Sequence, residues 1–288
     1  MTNEQSSRAA ILSEALPHIR KYSKKTVVVK YGGAAMIDNE ELKRAVISDI
    51  VLLSMSSVRM VVVHGGGPEI SDLLKKIGKE PVFINGLRYT DDETMDVVQM
   101  VLAGKIGKDL AALAGEFGGK AVSLSGMDGG MMRARKLSDE YGLVGELQQI
   151  DPSLINVMLD EGYIPVISTV ALGMEDAGPA RFNINADTAA SALAVALGAE
   201  RLILLTDVRG ILTDPKDEAS LITEISVSDI PQLVKRGVIT GGMIPKLECC
   251  VEAIRRGVSK AVILDGRLPH AILMEMLTDG GVGTMIKA

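Results

Sequence analysis

Met60-Val61-Val62-Val63-His64-Gly65-Gly66-Gly67-Pro68 reads as an apolar strand running straight into three glycines, with a proline where a helix would begin. An unbroken apolar run of this length suits a strand covered on both faces, the condition of central strands in a parallel sheet. The same grammar recurs at residues 26–30, 163–168, 202–206 and 261–264, each a short run rich in β-branched or leucine residues. Between these runs lie longer stretches with helical spacing, among them residues 91–117 and 245–256. Strand and helix alternating in this way predict an α/β fold, with a mostly parallel central sheet sandwiched between helices and arranged in two lobes.

Composition sets the bounds on function. With 288 residues and 47% hydrophobic content the chain can bury a large core without covalent staples. Cys249 and Cys250 are adjacent, which suits neither a disulfide nor a metal site, and they are expected to pack in a helix. The N-terminus lacks a secretory succession and no apolar run approaches the roughly 18 residues of a membrane span, so a cytoplasmic protein without membrane contact is expected. A net charge of −6 with 3% aromatics and no tryptophan argues against a nucleic-acid surface. An anionic ligand would therefore need cations placed locally.

Some segments depart from the alternation. Residues 133–137 and 143–149 flank a polar turn and read as a hairpin decorating an edge of the sheet. Residues 171–181, with Gly173, Gly178 and Pro179, read as an irregular join between lobes, placing a boundary near residue 180. Ahead of the first strand, Ile11, Leu12, Ala15, Leu16, Ile19 and Tyr22 fall at three- and four-residue spacing and form an amphipathic helix. Its stripe needs a partner, either its own domain or another subunit.

Five glycine-rich or polar segments could carry chemistry. Lys30-Tyr31-Gly32-Gly33 ends the first strand, where ligands gather in open α/β sheets. Gly65, Gly66 and Gly67 expose amides beside a helix N-terminus, a preorganised anion cradle, while His64 is expected to be structural. Asn183 and Asn185 precede Asp187 and a small-residue helix; Asp187 sits where an N-cap would, and could both cap and bind. Thr206, Asp207, Gly210 and Ile211 follow the strand at 202–206, with Thr213-Asp214-Pro215 beyond them. Gly241, Gly242 and Met243 open a helix that delivers Lys246. Neither the P-loop pattern, the dinucleotide fingerprint in its context, nor the protein-kinase signatures occur.

Together VVVKYGG, HGGGP, NGLRYTD at residues 85–91, FNINADTAA, TDVRGIL and GGMIPKLE make the chain resemble the amino-acid kinase superfamily along nearly its whole length, and within it the acetylglutamate kinases. The resemblance implies the amino-acid kinase fold, ATP with Mg²⁺ carried by the nucleotide and no metal site of the protein's own, and N-acetyl-L-glutamate as acceptor. It implies that Lys30 and Lys246 stabilise the transferring phosphoryl group and Asp187 holds them. Arg88 and Asn183 would bind the acceptor, with Gly66 and Gly67 presenting amides. Gly32, Gly33, Thr206, Asp207, Gly210, Ile211, Gly241, Gly242 and Met243 would meet the nucleotide. Residues 1–24 would be an oligomerisation helix, 25–180 the acetylglutamate-binding lobe and 181–288 the ATP-binding lobe. The N-terminal helix and residues 268–283 resemble the arginine-inhibited class, a hexamer built as a trimer of dimers, which implies effector roles for Tyr22, His270 and Glu275.

An ionised carboxylate is already a nucleophile at neutral pH, so such chemistry needs no general base. The obstacle is repulsion between an anionic nucleophile and phosphate, which cations and amide dipoles must offset. Other members of the superfamily, acting on a free amino acid, carbamate or a nucleoside monophosphate, and a non-catalytic arginine sensor are the competing readings. Lys30, Asp187 and Lys246 speak against the sensor, which needs no phosphoryl clamp.

Overall fold

The structure, a computed structural model, describes residues 3–32, 39–175, 181–214 and 216–288, with side chains of the first helix from Ser13 onward. Ile11, Leu12, Gly33, Gly178, Pro179 and Pro215 therefore fall outside the described side chains or residues. Helix α1 (Asn3–Tyr22) leads into β1 (Thr26–Tyr31), α2 (Glu40–Met55), β2 (Arg59–His64) and α3 (Gly67–Lys76). A two-stranded ribbon, β3 (Phe83–Ile84) and β4 (Leu87–Arg88), precedes a long helical run. That run is α4 (Asp92–Gln99), a π-helical stretch (Met100–Ile106) and α5 (Gly107–Glu116). Next come β5 (Ala121–Ser125), β6 (Met132–Lys136), β7 (Gly145–Ile150), α6 (Ser153–Asp160), β8 (Ile164–Ser168), β9 (Val170–Gly173) and β10 (Arg181–Asn183). The chain ends through α7 (Ala186–Ala196), β11 (Arg201–Thr206), β12 (Glu224–Ser226), α8 (Ile230–Lys235), α9 (Met243–Arg255), β13 (Lys260–Asp265), α10 (Ala271–Leu277) and β14 (Thr284–Lys287).

Eight strands form the central sheet in the order β12-β14-β13-β11-β1-β2-β8-β5. All neighbours are parallel except β13 and β14. Every strand read from the apolar runs is present, and the double-sided burial has a direct cause. Val27 and Val29 enter one core layer while Val28 enters the other, and Ile203 and Leu205 alternate likewise with Leu202 and Leu204. The first layer receives Ile47 and Ile50 from α2 and Leu110 from α5; the second receives Ala189, Ala190 and Leu193 from α7 and Leu247 and Cys250 from α9. Cys250 is fully buried and Cys249 partly so, both packing on α9 as free thiols.

Two readings are corrected. The hairpin of residues 131–150 exists, β6 pairing antiparallel with β7, but it does not decorate the central sheet. It belongs to a separate four-stranded sheet, β10-β9-β6-β7, because β6 also pairs in parallel with β9. The stretch 171–181 is likewise more ordered at its ends than an irregular join, since Phe182 pairs antiparallel with Ala171. The central sheet runs on across residue 180 through the parallel pairing of β1 with β11, Lys30 beside Leu204.

The helix read over residues 91–117 is continuous but changes pitch. Asp91 caps its start, accepting a hydrogen bond from the Thr94 amide, and a π-helical stretch occupies its middle. A Cβ on Gly107 would stand 2.4 Å from the Ser123 hydroxyl oxygen, so only glycine lets the helix lie this close to β5.

Candidate active site

Lys30 is the fifth residue of β1 and shares its face with Val28, the face that α7 covers. That helix can come close because its facing residues are Ala189, Ala190 and Ala194. Its cap is Asn185, whose side-chain oxygen accepts from the Asp187 and Thr188 amides at 2.9 and 3.1 Å. The capping role expected of Asp187 is thus filled two residues earlier. Both residues are short Asx side chains at the helix start, and only the backbone trajectory separates them. Asp187 lies instead in the first turn with its carboxylate free to turn toward β1.

There it meets two ammonium groups. Lys30 Nζ stands 2.9 Å from Asp187 Oδ1, and Lys246 Nζ, one turn into α9, stands 2.7 Å from Oδ2. The side chains of Lys30 and Asp187 are only 8% and 14% exposed, and that of Lys246 25%. Burial alone would raise the Asp187 pKa, but the two lysines more than offset it and hold the carboxyl below its usual range. The described structure therefore draws residues 157 and 59 positions away from Asp187 in sequence onto one carboxylate.

Beside this cluster lies a cavity of ≈ 260 Å³ bounded by Lys30, Gly32, the glycines 65–67, Arg88 and Asn183. Arg88 on β4 is buried, with Nη2 donating to the Gly67 carbonyl at 2.7 Å and to Ser71 Oγ at 2.8 Å, and with its guanidinium 4.7 Å above the Phe83 ring. Its other terminal nitrogen, Nη1, is buried without a partner. Burial also pushes the Arg88 pKa down. Asn183 Nδ2 donates to Thr90 Oγ1 at 3.2 Å, and that hydroxyl in turn donates to the Arg88 carbonyl, so the two candidate binding residues are braced together. A Cβ on Gly66 would stand 2.2 Å from Ile106 Cδ1 and 2.7 Å from Leu102 Cδ2, so a larger residue would force these packed side chains to move. The amides of Gly66 and Gly67 open α3 and have no intrahelical carbonyl.

The remaining candidates lie around this centre or away from it. Thr206 ends β11 level with Asp265 on β13, on the same edge of the sheet as Lys30 and His64. Asp207 is exposed, Gly210 and Ile211 are buried, and the Ile211 amide donates to Thr284 Oγ1 at 2.9 Å. Gly241 and Gly242 are exposed just before α9, and Met243 is its first residue. Gly33 is outside the described residues. The three effector candidates are elsewhere. Tyr22 is buried with the Arg201 guanidinium 5.1 Å from its ring, Glu275 pairs with Arg201 at 3.1 Å, and His270 Nδ1 meets Asp49 Oδ1 at 2.6 Å.

Sequence reasoning missed several residues. Thr169, Val144 and Phe83 line the cavity, and Ser71 holds Arg88. Asp265, paired bidentately with Arg267 at 2.8 Å, stands at the nucleotide edge expected from Thr206. A carboxylate closing an apolar strand, two residues before an arginine, was the available signal.

The amino acid kinase family matches residues 25–265. Acetylglutamate kinase of Clostridium beijerinckii is 53% identical over 281 residues, 97% of this chain and 98% of that protein. Its counterpart in Heliobacterium modesticaldum is 52% identical over 97% of each chain. Among solved structures, N-acetylglutamate synthase from Neisseria gonorrhoeae, complexed with coenzyme A and N-acetyl-glutamate, superposes with a TM-score of 0.83 at 26% identity, covering 97% of this chain and 63% of that one. Matched along nearly its whole length in sequence, the chain belongs to the amino acid kinase family, on its acetylglutamate kinase branch.

Proposed function

We propose that this protein transfers the γ-phosphoryl group of ATP to the side-chain carboxylate of N-acetyl-L-glutamate, giving N-acetylglutamyl 5-phosphate and ADP on the route to arginine. The observation that carries the reading is the pair of ammonium groups held on Asp187 beside a cavity lined by Arg88, Asn183 and the glycines 65–67. The acceptor carboxylate is the nucleophile, and Arg88 with Asn183 orients the molecule from its other end. Arginine suits a carboxylate because its planar fork offers parallel donors. As the bond to the γ-phosphorus forms and that to the β,γ-bridging oxygen breaks, charge on the equatorial oxygens is met by Lys30, Lys246 and the Gly66 and Gly67 amides. Asp187 keeps two like charges together in the absence of substrate. Among the described residues no group of three or more His, Cys, Asp or Glu side chains could hold a metal ion. When bound, ATP would bring its own Mg²⁺, which would neutralise charge on the phosphate oxygens.

In this reading residues 25–180 bind the acceptor and 181–288 the nucleotide, through Gly32 and Gly33 from the first lobe and the segments at 206–211 and 241–243 from the second. ADP release measured with N-acetylglutamate, glutamate, carbamate and nucleoside monophosphates tests it: turnover is expected only with the acetylated acceptor. Lys30→Ala or Lys246→Ala should lower turnover by about 100-fold, the effect of losing one preorganised donor. A folded variant with near-normal turnover removes that lysine from the mechanism.

Feedback inhibition by arginine and a hexamer built as a trimer of dimers belong to the same proposal. In support, α1, α2 and α10 enclose an apolar groove lined by Leu16, Ile19, Leu52 and Met274, three of which are well exposed. Deleting residues 1–22 should lower the oligomer size and blunt inhibition; unchanged behaviour in both assays rejects this role. No helix among the described residues is long and apolar enough to cross a membrane.

A further inference from the structure

His64 ends β2 with its side chain wholly buried, on the opposite face of the sheet from Lys30. It is outside the cavity, yet its Nδ1 lies 3.1 Å from the Gly65 carbonyl oxygen. A carbonyl can only accept, so Nδ1 carries the proton and Nε2 is left as an acceptor. Nε2 is buried and without a partner, and so are the hydroxyls of Ser123 and Ser168. Those serines sit on the same face of the sheet: Ser168 is the register partner of His64, and Ser123 Oγ and His64 Nε2 both press on the spot where a Gly107 side chain would begin. Neither hydroxyl bonds the ring, so the contact to Gly65 is the hydrogen bond that orients it among the described residues. Burial holds the imidazole neutral through the neutral range, with its pKa lowered to about 4, and the contact with the Gly65 carbonyl selects the tautomer.

The Gly65 carbonyl and the Gly66 N–H belong to one planar trans peptide and point in opposite directions. A bond that holds the carbonyl back toward the core turns the amide the other way, toward the cavity that Gly65 and Gly66 line. Flanking glycines would otherwise let such a peptide rotate with little steric resistance. We propose that His64 is a positioning residue: its Nδ1–H fixes the Gly65–Gly66 peptide so that the Gly66 amide faces the substrate. This rests on the phosphoryl-transfer reading above for what the amide then does.

Asparagine can place a donor where Nδ1 was, glutamine only where Nε2 was, and leucine neither. The test compares kcat, KM and urea midpoint for wild type, His64→Asn, His64→Gln and His64→Leu, with each acceptor assayed on the wild type first. Expected is a kcat loss of about 10- to 100-fold for His64→Leu and His64→Gln, smaller than full loss of a donor because the peptide still samples its working orientation, with His64→Asn recovering most of it. The loss should fall on kcat rather than on KM. A folded His64→Leu with wild-type kcat, or Asn and Gln variants equal to one another, overturns the proposal. Should leucine prevent folding, the Asn-to-Gln comparison decides alone. A wild type that prefers another acceptor overturns the functional reading instead, and the same ratios are then measured on that acceptor.

Discussion

Replacing Asp187 by asparagine keeps its volume and removes only its charge. At the observed 2.9 Å from Lys30, one ion pair is worth about 6 kcal/mol of gross Coulomb attraction at an effective dielectric near 20. Desolvation offsets most of this in the intact protein, so the relevant quantity is what the variant strands. Lys30 is 8% exposed and cannot turn to water, whereas Lys246 is 25% exposed and can. One stranded buried charge corresponds to a stability loss of about 3 kcal/mol. Urea unfolding at pH 7 measures it, and Lys30→Met added to the variant should return a large part. The sign with pH follows from the lowered pKa of Asp187. Its contribution is fully present above the unfolded value of about 3.9 and is lost as pH falls through the lower folded value, so wild type and variant should converge only in acid. If the two lysines act as proposed, turnover should drop by at least about 100-fold, because both amines lose their anchor. A variant that unfolds at the wild-type midpoint and turns over normally would refute the argument, since it would mean that neither lysine depends on this carboxylate.

Three further perturbations address other parts of the site. Arg88→Lys loses the planar fork and the brace to Gly67 and Ser71, and initial-rate kinetics should show a rise of about 10-fold or more in acceptor KM, with a smaller effect on kcat. Gly66→Ala drives a Cβ against Ile106 and Leu102, and the overpacking should lower stability by about 1–3 kcal/mol in urea titrations, with turnover falling in parallel as the cradle shifts. Asp91→Ala removes the cap of α4 and the carboxylate that Lys79 grips through both oxygens, for about 1 kcal/mol in thermal or urea unfolding. Although burial opposes it, Lys79 and the Thr94 amide lower the Asp91 pKa to about 2, so the difference from wild type should hold above pH 4 and close as pH drops toward 2.

The order of strands and helices was legible because it follows from local chemistry. Runs such as 27–29 and 202–205 are apolar at every position, which only a sheet covered on both sides accommodates. Lys30, Asn183, Asp187 and Lys246 were legible as candidates because each stands at a strand or helix end among glycines or asparagines, whereas Arg88 came only from the resemblance of residues 85–91 to the acetylglutamate kinases. Non-local pairing was not legible. Nothing in residues 133–134 announces that they will lie parallel to residues 172–173, since a half-buried strand looks alike in either sheet. The π-helical stretch was hidden because one altered turn barely disturbs a helical pattern. Cap assignment failed at Asn185 and Asp187 for the same kind of reason, two residues with equal chemistry a short distance apart.

The pairing of β1 with β11 has a bearing on dissection of the molecule. If residues 25–180 were produced alone, β1 would become a bare edge, with Val27, Val28 and Val29 and an open row of amides and carbonyls facing water. Residues 181–288 alone would expose the apolar run of β11 in the same way. Each fragment would carry a flat, adhesive border made for the other, and would tend to precipitate or pair with its own kind. Mixed during synthesis or refolding, the two fragments should keep each other in solution.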